Sequence, residues 1–153
     1  MKKKLELFNN DGSKFLIAKS GGEMESNYDL PQRSYFEVDI NNSNVAIEIK
    51  GSEDSILYDG LSGNVLQTGT RMVFPGSRLT TGTTLGVTTW TIEDQDEKSY
   101  SLIEFMVNGK PSCRKPIRLN GVNVSPVVYV EGKRSSVDVN LGDHGFKHDQ
   151  GNV

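Results

Sequence analysis

Cysteine is nearly absent from this chain of 153 residues: Cys113 stands alone, so no disulfide can close within it. Histidine is almost as scarce, and both copies, His144 and His148, lie near the C-terminus. A catalytic thiol needs a base beside it. The sequence sets none near Cys113, which reads as a free thiol in a loop. Long apolar runs are missing as well. No stretch approaches the roughly 18 residues of a membrane-spanning helix. The N-terminal MKKKLELFNN lacks the apolar run of roughly 7–15 residues that a secretory signal requires. As encoded, the chain is expected to start in the cytoplasm, with release by lysis or by dedicated export left open. Charge of one sign is scarce too: the net charge is -3 and the pI about 5.4. The lack of any basic stripe beyond Lys2–Lys4 argues against nucleic acid as a partner. There is no GxSxG, CxxC or HExxH, and no phosphate-cradling glycine loop ahead of a helix. No enzyme, cofactor or catalytic residue is therefore expected. Helical apolar spacing and internal repeats are also missing.

What is present is strand pattern. Thr83–Val107 is the centre of the reading. Trp90 and Ile92 share one face there, with Val87, Thr89 and Thr91 on the other. In the following stretch Ile103, Phe105 and Val107 oppose Tyr100, Leu102 and Met106. Alternation with apolar residues on both faces predicts a hairpin in the middle of a sheet. Its turn carries Asp94, Asp96 and Glu97. Elsewhere Tyr35–Ile40 and Val45–Ile49 alternate around an Asn-rich turn and read as a second hairpin. Lys4–Phe8 and Lys14–Ala18 flank Asp11-Gly12 and read as a third. Ile117–Leu119 and Val122–Val124 flank Asn120-Gly121 in the same way. Ile56–Tyr58, Val65–Gln67, Arg71–Phe74, Val127–Val130 and Ser136–Leu141 complete the set. Asn108-Gly109 marks a turn. The basic, proline-bearing KPSCRKP after it should lie extended on a sheet edge, where proline does no harm.

About ten short strands with regular turn signals predict an all-β antiparallel β-sandwich, with a barrel as the alternative and no substantial helix. Residues 1–141 read as one domain, with an N-terminal hairpin at 1–19 and a main body at 35–141. Residues 142–153 read as a flexible polar tail.

Candidate sites are few. Tyrosine and tryptophan join an apolar body to a polar tip, which suits a lipid headgroup, a sugar or a protein surface. Tyr28 and Tyr58, beside turns, are the ligand candidates expected to be exposed. Trp90 is a third, although its place on the central hairpin favours a core role. Glu104 interrupts an apolar strand and is expected to pair with Arg71 or Arg118. The Asp94/Asp96/Glu97 turn lacks EF-hand spacing and reads as a solvated loop. His144 and His148 sit among glycines that argue against a helix, so they read as tail rather than zinc ligands. Asn41-Asn42-Ser43 and Asn123-Val124-Ser125 match a glycosylation acceptor but read as turn and strand chemistry.

Residues 75–109 carry Pro75-Gly76-Ser77, then Gly82, then a Gly-Val-x-x-aromatic-x-Ile strand at Gly86–Ile92, and the apolar Leu102–Val107. This run resembles the central part of actinoporin-like and aegerolysin-like β-sandwiches. The resemblance implies a compact sandwich that recognises membrane lipids through exposed aromatics, in some members as part of a pore. The chain departs from that pattern at Met1–Ala18, which reads as strands rather than an amphipathic helix, and in lacking a dense aromatic cluster.

The expected function is a non-enzymatic binding module that recognises an external surface through loops at the sandwich end. That surface would be a membrane lipid, a glycan or a protein. The alternative is a structural or assembly subunit of a virion or secretion appendage, a homo-oligomer built by strand addition through Lys2–Phe8 or the tail.

Overall fold

The computed structural model describes residues 5–9, 16–17, 33–41, 44–51, 53–92, 99–121, 124–131, 135–140 and 145–148. Thirteen strands and no helix occur among them. The larger sheet contains β1 (Leu5–Asn9), β3 (Arg33–Ile40), β8 (Thr84–Ile92), β9 (Tyr100–Val107), β10 (Lys110–Pro111), β11 (Ile117–Asn120) and β13 (Ser135–Asn140). Its order is β1-β13-β3-β8-β9-β10, with β11 also on β9. The smaller sheet contains β2 (Leu16–Ile17), β4 (Asn44–Lys50), β5 (Ser55–Asp59), β6 (Asn64–Gln67), β7 (Met72–Pro75) and β12 (Ser125–Glu131). Its order is β2-β12-β4-β5-β6-β7. Every pair is antiparallel, and the two sheets form a sandwich that does not close into a barrel.

The core lies between the sheets. Phe36, Val38 and Ile40 of β3, Leu85 and Val87 of β8, and Ile103 and Phe105 of β9 point inward from the larger sheet. Val45, Ile47 and Ile49 of β4, Ile56 and Tyr58 of β5, and Val65 of β6 meet them from the smaller one. Each such side chain contributes about 1.5–3 kcal/mol through burial. The central pair has the expected register: Val87 lies opposite Phe105 and Trp90 opposite Leu102. Val87, Ile103 and Phe105 are buried, whereas Trp90, Leu102 and Met106 are only half-buried. The strands are central in the sheet, but only their inner face is sealed. The acidic turn between them lies outside the described residues.

Three expected hairpins are corrected. β1 pairs with β13 and β2 with β12, so the N-terminal strands separate into different sheets. β3 and β4 also lie in different sheets. Of the hairpin read at Ile117–Leu119 and Val122–Val124, residues 122 and 123 lie outside the described residues, Val124 is in no strand, and the strand after it, β12, lies in the sheet opposite β11. The physical reason is common to all three. Two alternating strands around a polar turn can pair edge to edge or face one another across a core, and both arrangements bury the same residues. The β9–β10 turn does form as read, with Asn108 (φ 51°) and Gly109 (φ 82°) in the left-handed region. Of the KPSCRKP segment expected to lie extended on a sheet edge, only Lys110–Pro111 does; residues 112–115 bend away from the sheet.

Within the segment read as a polar tail, residues 145–148 make contacts with the larger sheet. The amides of Lys147 and His148 donate to Glu37, each at 2.9 Å, and the Phe146 ring meets Tyr35 edge-on at 4.9 Å. A polar, glycine-rich composition hid the aromatic and the main-chain donors that dock this segment. The N-terminal arm proposed for strand addition to a neighbour is likewise engaged within the chain, since Leu5–Asn9 pairs with β13.

Candidate functional site: a groove at the open edge of the sandwich

Beyond β9, the edge of the larger sheet is built from two short pieces, β10 and then β11. The chain between them, residues 112–116, leaves the sheet. Pro111 and Pro116 bracket this segment; proline has no amide to donate to a ladder. β7 forms the facing edge of the smaller sheet. Between these edges lies a groove of about 390 Å³. Met72, Phe74 and Pro75 form one wall, and Cys113, Arg114, Lys115 and Pro116 the other, with Gln67 and Ile117 between them.

Two polar clamps hold the groove. At one end the Gln67 amide donates to Asp54 Oδ2 at 2.8 Å and to the Arg118 carbonyl at 2.7 Å, tying β6 to β11 across the sandwich. Asp54 also accepts from the Gly69 amide (2.6 Å), the Ser55 amide (2.9 Å) and the Thr68 hydroxyl (3.2 Å). Burial alone would raise the Asp54 pKa. The donors of Gln67, Gly69, Ser55 and Thr68 outweigh that and hold it below the ordinary 3.8. At the other end Tyr58 donates to the Ser77 carbonyl at 2.5 Å and shares a short bond with the Ser112 hydroxyl. The Ser77 amide donates to the same Ser112 oxygen at 2.9 Å. Every group is satisfied if Ser112 accepts from Ser77 and donates to Tyr58. Burial pushes the Tyr58 hydroxyl above its usual range.

The groove lining contains no carboxylate and no histidine. Burial pushes the Cys113 thiol up, so it stays protonated near neutral pH. Exposed Arg114 and Lys115 set positive charge on one rim, and Met72, at 52% exposure, offers apolar surface on the other. Val73, on the opposite side of the same strand, is 57% exposed.

The expected ligand residues do not gather here. Tyr58 is corrected: it is fully buried, packs edge-on against Phe105 at 5.0 Å, and acts as a clamp rather than a contact. Its neighbouring turn is exposed, but the alternation of β5 directs the ring inward. Trp90 is half-buried on the outer face of the larger sheet, away from the groove and from the fully buried core. Tyr28 lies outside the described residues. The expected pairing of Glu104 is corrected too. It makes no ion pair among the described residues, and Arg118 instead stacks over Tyr100 at 3.9 Å from the ring centroid. The sequence did carry both halves of the groove, as the Met-Val-Phe strand and the basic KPSCRKP run. Nothing local joins segments some forty positions apart.

A human SPRY domain of known structure superposes on this chain with a TM-score of 0.60, covering 94% of this chain and 98% of its own at 17% identity. The chain shares the SPRY-domain fold. A second SPRY domain, from human HERC1, aligns over 76% of this chain and 79% of its own, with a TM-score of 0.49 and 14% identity. No protein-family model and no curated protein matches the sequence. The SPRY-like sandwich supplies the frame, and the groove is argued from this chain's own residues, since one fold hosts many functions.

Proposed function

We propose that this protein is a non-enzymatic binding module that takes a protein partner in the sandwich-edge groove. The partner segment carries an apolar side chain for the groove and carboxylates for its rim. The observation that supports this reading is the pairing of an apolar lining, Met72, Phe74, Pro75 and Ile117, with the Arg114–Lys115 rim and no acidic residue. An open apolar groove desolvates a side chain, and cations at its edge select charge and speed encounter. Area and affinity then depend on one well-seated anchor rather than on the whole contact.

Peptides selected from a displayed random library on the full chain test it. Acidic sequences with one large apolar residue are expected. Arg114→Glu with Lys115→Glu should weaken them by about tenfold or more, equivalent to about 1.4 kcal/mol. Their affinity should also fall as salt rises, because the rim is exposed. Selected peptides that ignore the charge reversal would overturn the reading. So would a chain that selects no peptide but co-elutes with mixed-lipid vesicles with a blue shift of Trp90 fluorescence. That outcome would favour the lipid surface implied by the resemblance of residues 75–109.

A further inference from the structure

Glu37 lies on β3 between Phe36 and Val38, which point into the core, so its side chain projects from the outer face of the larger sheet. It is nevertheless only 2% exposed. Its cover comes from outside the sheet. Glu37 Oε1 accepts from the Lys147 amide and Oε2 from the His148 amide, both at 2.9 Å, and the Tyr35 hydroxyl adds a bond to Oε2 at 2.8 Å. Successive amides of an extended strand point to opposite sides, so one carboxylate grips two in a row only where the backbone bends, as it does at Lys147 and His148, and the contact reads main chain rather than side chains.

The surroundings complete a built site. The Tyr35 ring lies over β8 at Gly86, where a Cβ would collide with the ring. That glycine lets the ring lie low, and Phe146 packs edge-on against it. Asp39 follows Glu37 on the same face. It accepts from the Thr84 hydroxyl at 2.6 Å and pairs with Lys147 Nζ at 3.2 Å. Asn140 of β13 donates to the Gly145 carbonyl at 3.3 Å, and the His148 ring lies beside Gly109. Residues 145–148 thus cross the sheet from β13 to the β9–β10 turn. Tyr35 meets an aromatic, Glu37 reads two amides, and Asp39 meets a cation.

We infer that this trough is a second peptide-binding site, separate from the groove, and that residues 145–148 are its tethered ligand in cis. The ligand class is a segment that bends where it meets Glu37 and carries an aromatic residue followed directly by a lysine or arginine. A partner segment of that chemistry takes the trough when the tethered one leaves. The tether sets the threshold, because a short linker holds its ligand at millimolar effective concentration.

The test uses the full chain and a fluorescein-labelled peptide of residues 143–150. Wild-type protein is expected to bind it weakly. Phe146→Ala with Lys147→Ala, which loosens the tethered segment, should bind it about tenfold more tightly. Adding Glu37→Gln to that background should undo the gain, and a peptide with alanine at the Phe and Lys positions should not bind. Thermal melts establish that each variant is folded. Should Glu37→Gln fail to fold, Asp39→Asn takes its place and is expected to erase the preference for lysine over alanine in the peptide. Equal binding to wild type and loosened variant would overturn the inference. So would binding indifferent to both Glu37→Gln and Asp39→Asn. Charge reversal at Arg114 and Lys115 should leave this binding unchanged, which keeps the trough distinguishable from the groove.

Discussion

Asp54 shows how one carboxylate is made structural. It sits among four donors, and they lower its pKa despite burial. A carboxyl whose folded pKa lies below its unfolded value contributes stability that is complete above the unfolded value. That contribution is lost as pH falls from there through the folded value. Asp54→Asn turns an amide donor toward the Gln67 amide and should cost about 2 kcal/mol at neutral pH. Melting temperatures of wild type and variant, taken from pH 7 down to pH 2, should begin to converge below about pH 4, where the aspartate of the unfolded chain takes up a proton, and go on converging as the folded carboxylate is protonated below that. A gap that stays constant over that range would show that Asp54 acts by shape alone. The opposite case lies across the core. Thr89 and Ser34 face each other in register on β8 and β3, and both hydroxyls are buried with no hydrogen-bond partner among the described residues. A stranded polar group costs about 1–3 kcal/mol. Thr89→Val keeps the shape and removes the hydroxyl, so stability should rise by about 1 kcal/mol, read as a higher urea midpoint at unchanged slope.

At the scale of elements, the loop at residues 112–116 matters most, because it forms one wall of the groove. Ser112 is its anchor, bonded both to Tyr58 and to the Ser77 amide. Cys113, next along, is 8% exposed and reports on that anchor. In the wild type a thiol reagent should label it slowly, since the thiol is both buried and protonated. Tyr58→Phe removes the hydroxyl and leaves the Ser77 carbonyl unpaired. A loss of about 1 kcal/mol in local stability corresponds to about fivefold more frequent opening of the loop, and Cys113 labelling should accelerate by that factor. Labelling unchanged in the variant would mean that the prolines, and not the tyrosine, hold the wall.

At the scale of the molecule, both sheets depend on contacts between the ends of the chain. β1 pairs with β13, β2 with β12, and β12 with β4. Such pairing must close long loops before any ladder bond forms, so folding should be slow for a chain of this size. Refolding from urea, followed by Trp90 fluorescence, should fall in the range of about milliseconds to seconds typical of all-β sandwiches. A microsecond phase carrying the whole amplitude would contradict this topology.

The sequence by itself determined the class of fold and the faces of its strands. Period-2 alternation identified the core side of 35–40 and 45–49, because a strand shows alternate residues to opposite faces whatever its partner; in 87–92 and 100–107 it separated the two faces, both apolar, and the structure decided that only the face of Val87, Ile103 and Phe105 is sealed. The sequence also located the left-handed turn at Asn108-Gly109 and the edge position of Pro111, both properties of single residues. Only the tertiary structure decided which strands pair. An alternating strand buries the same face whether its sequence neighbour lies beside it or across the core, and so the links after β1, β3 and β11 cross between sheets where the local pattern suggested hairpins. The groove and the trough belong to that second class. Met72 and Arg114 line one groove, and Glu37 grips the amides of Lys147 and His148, only because distant segments are brought together by a core they share.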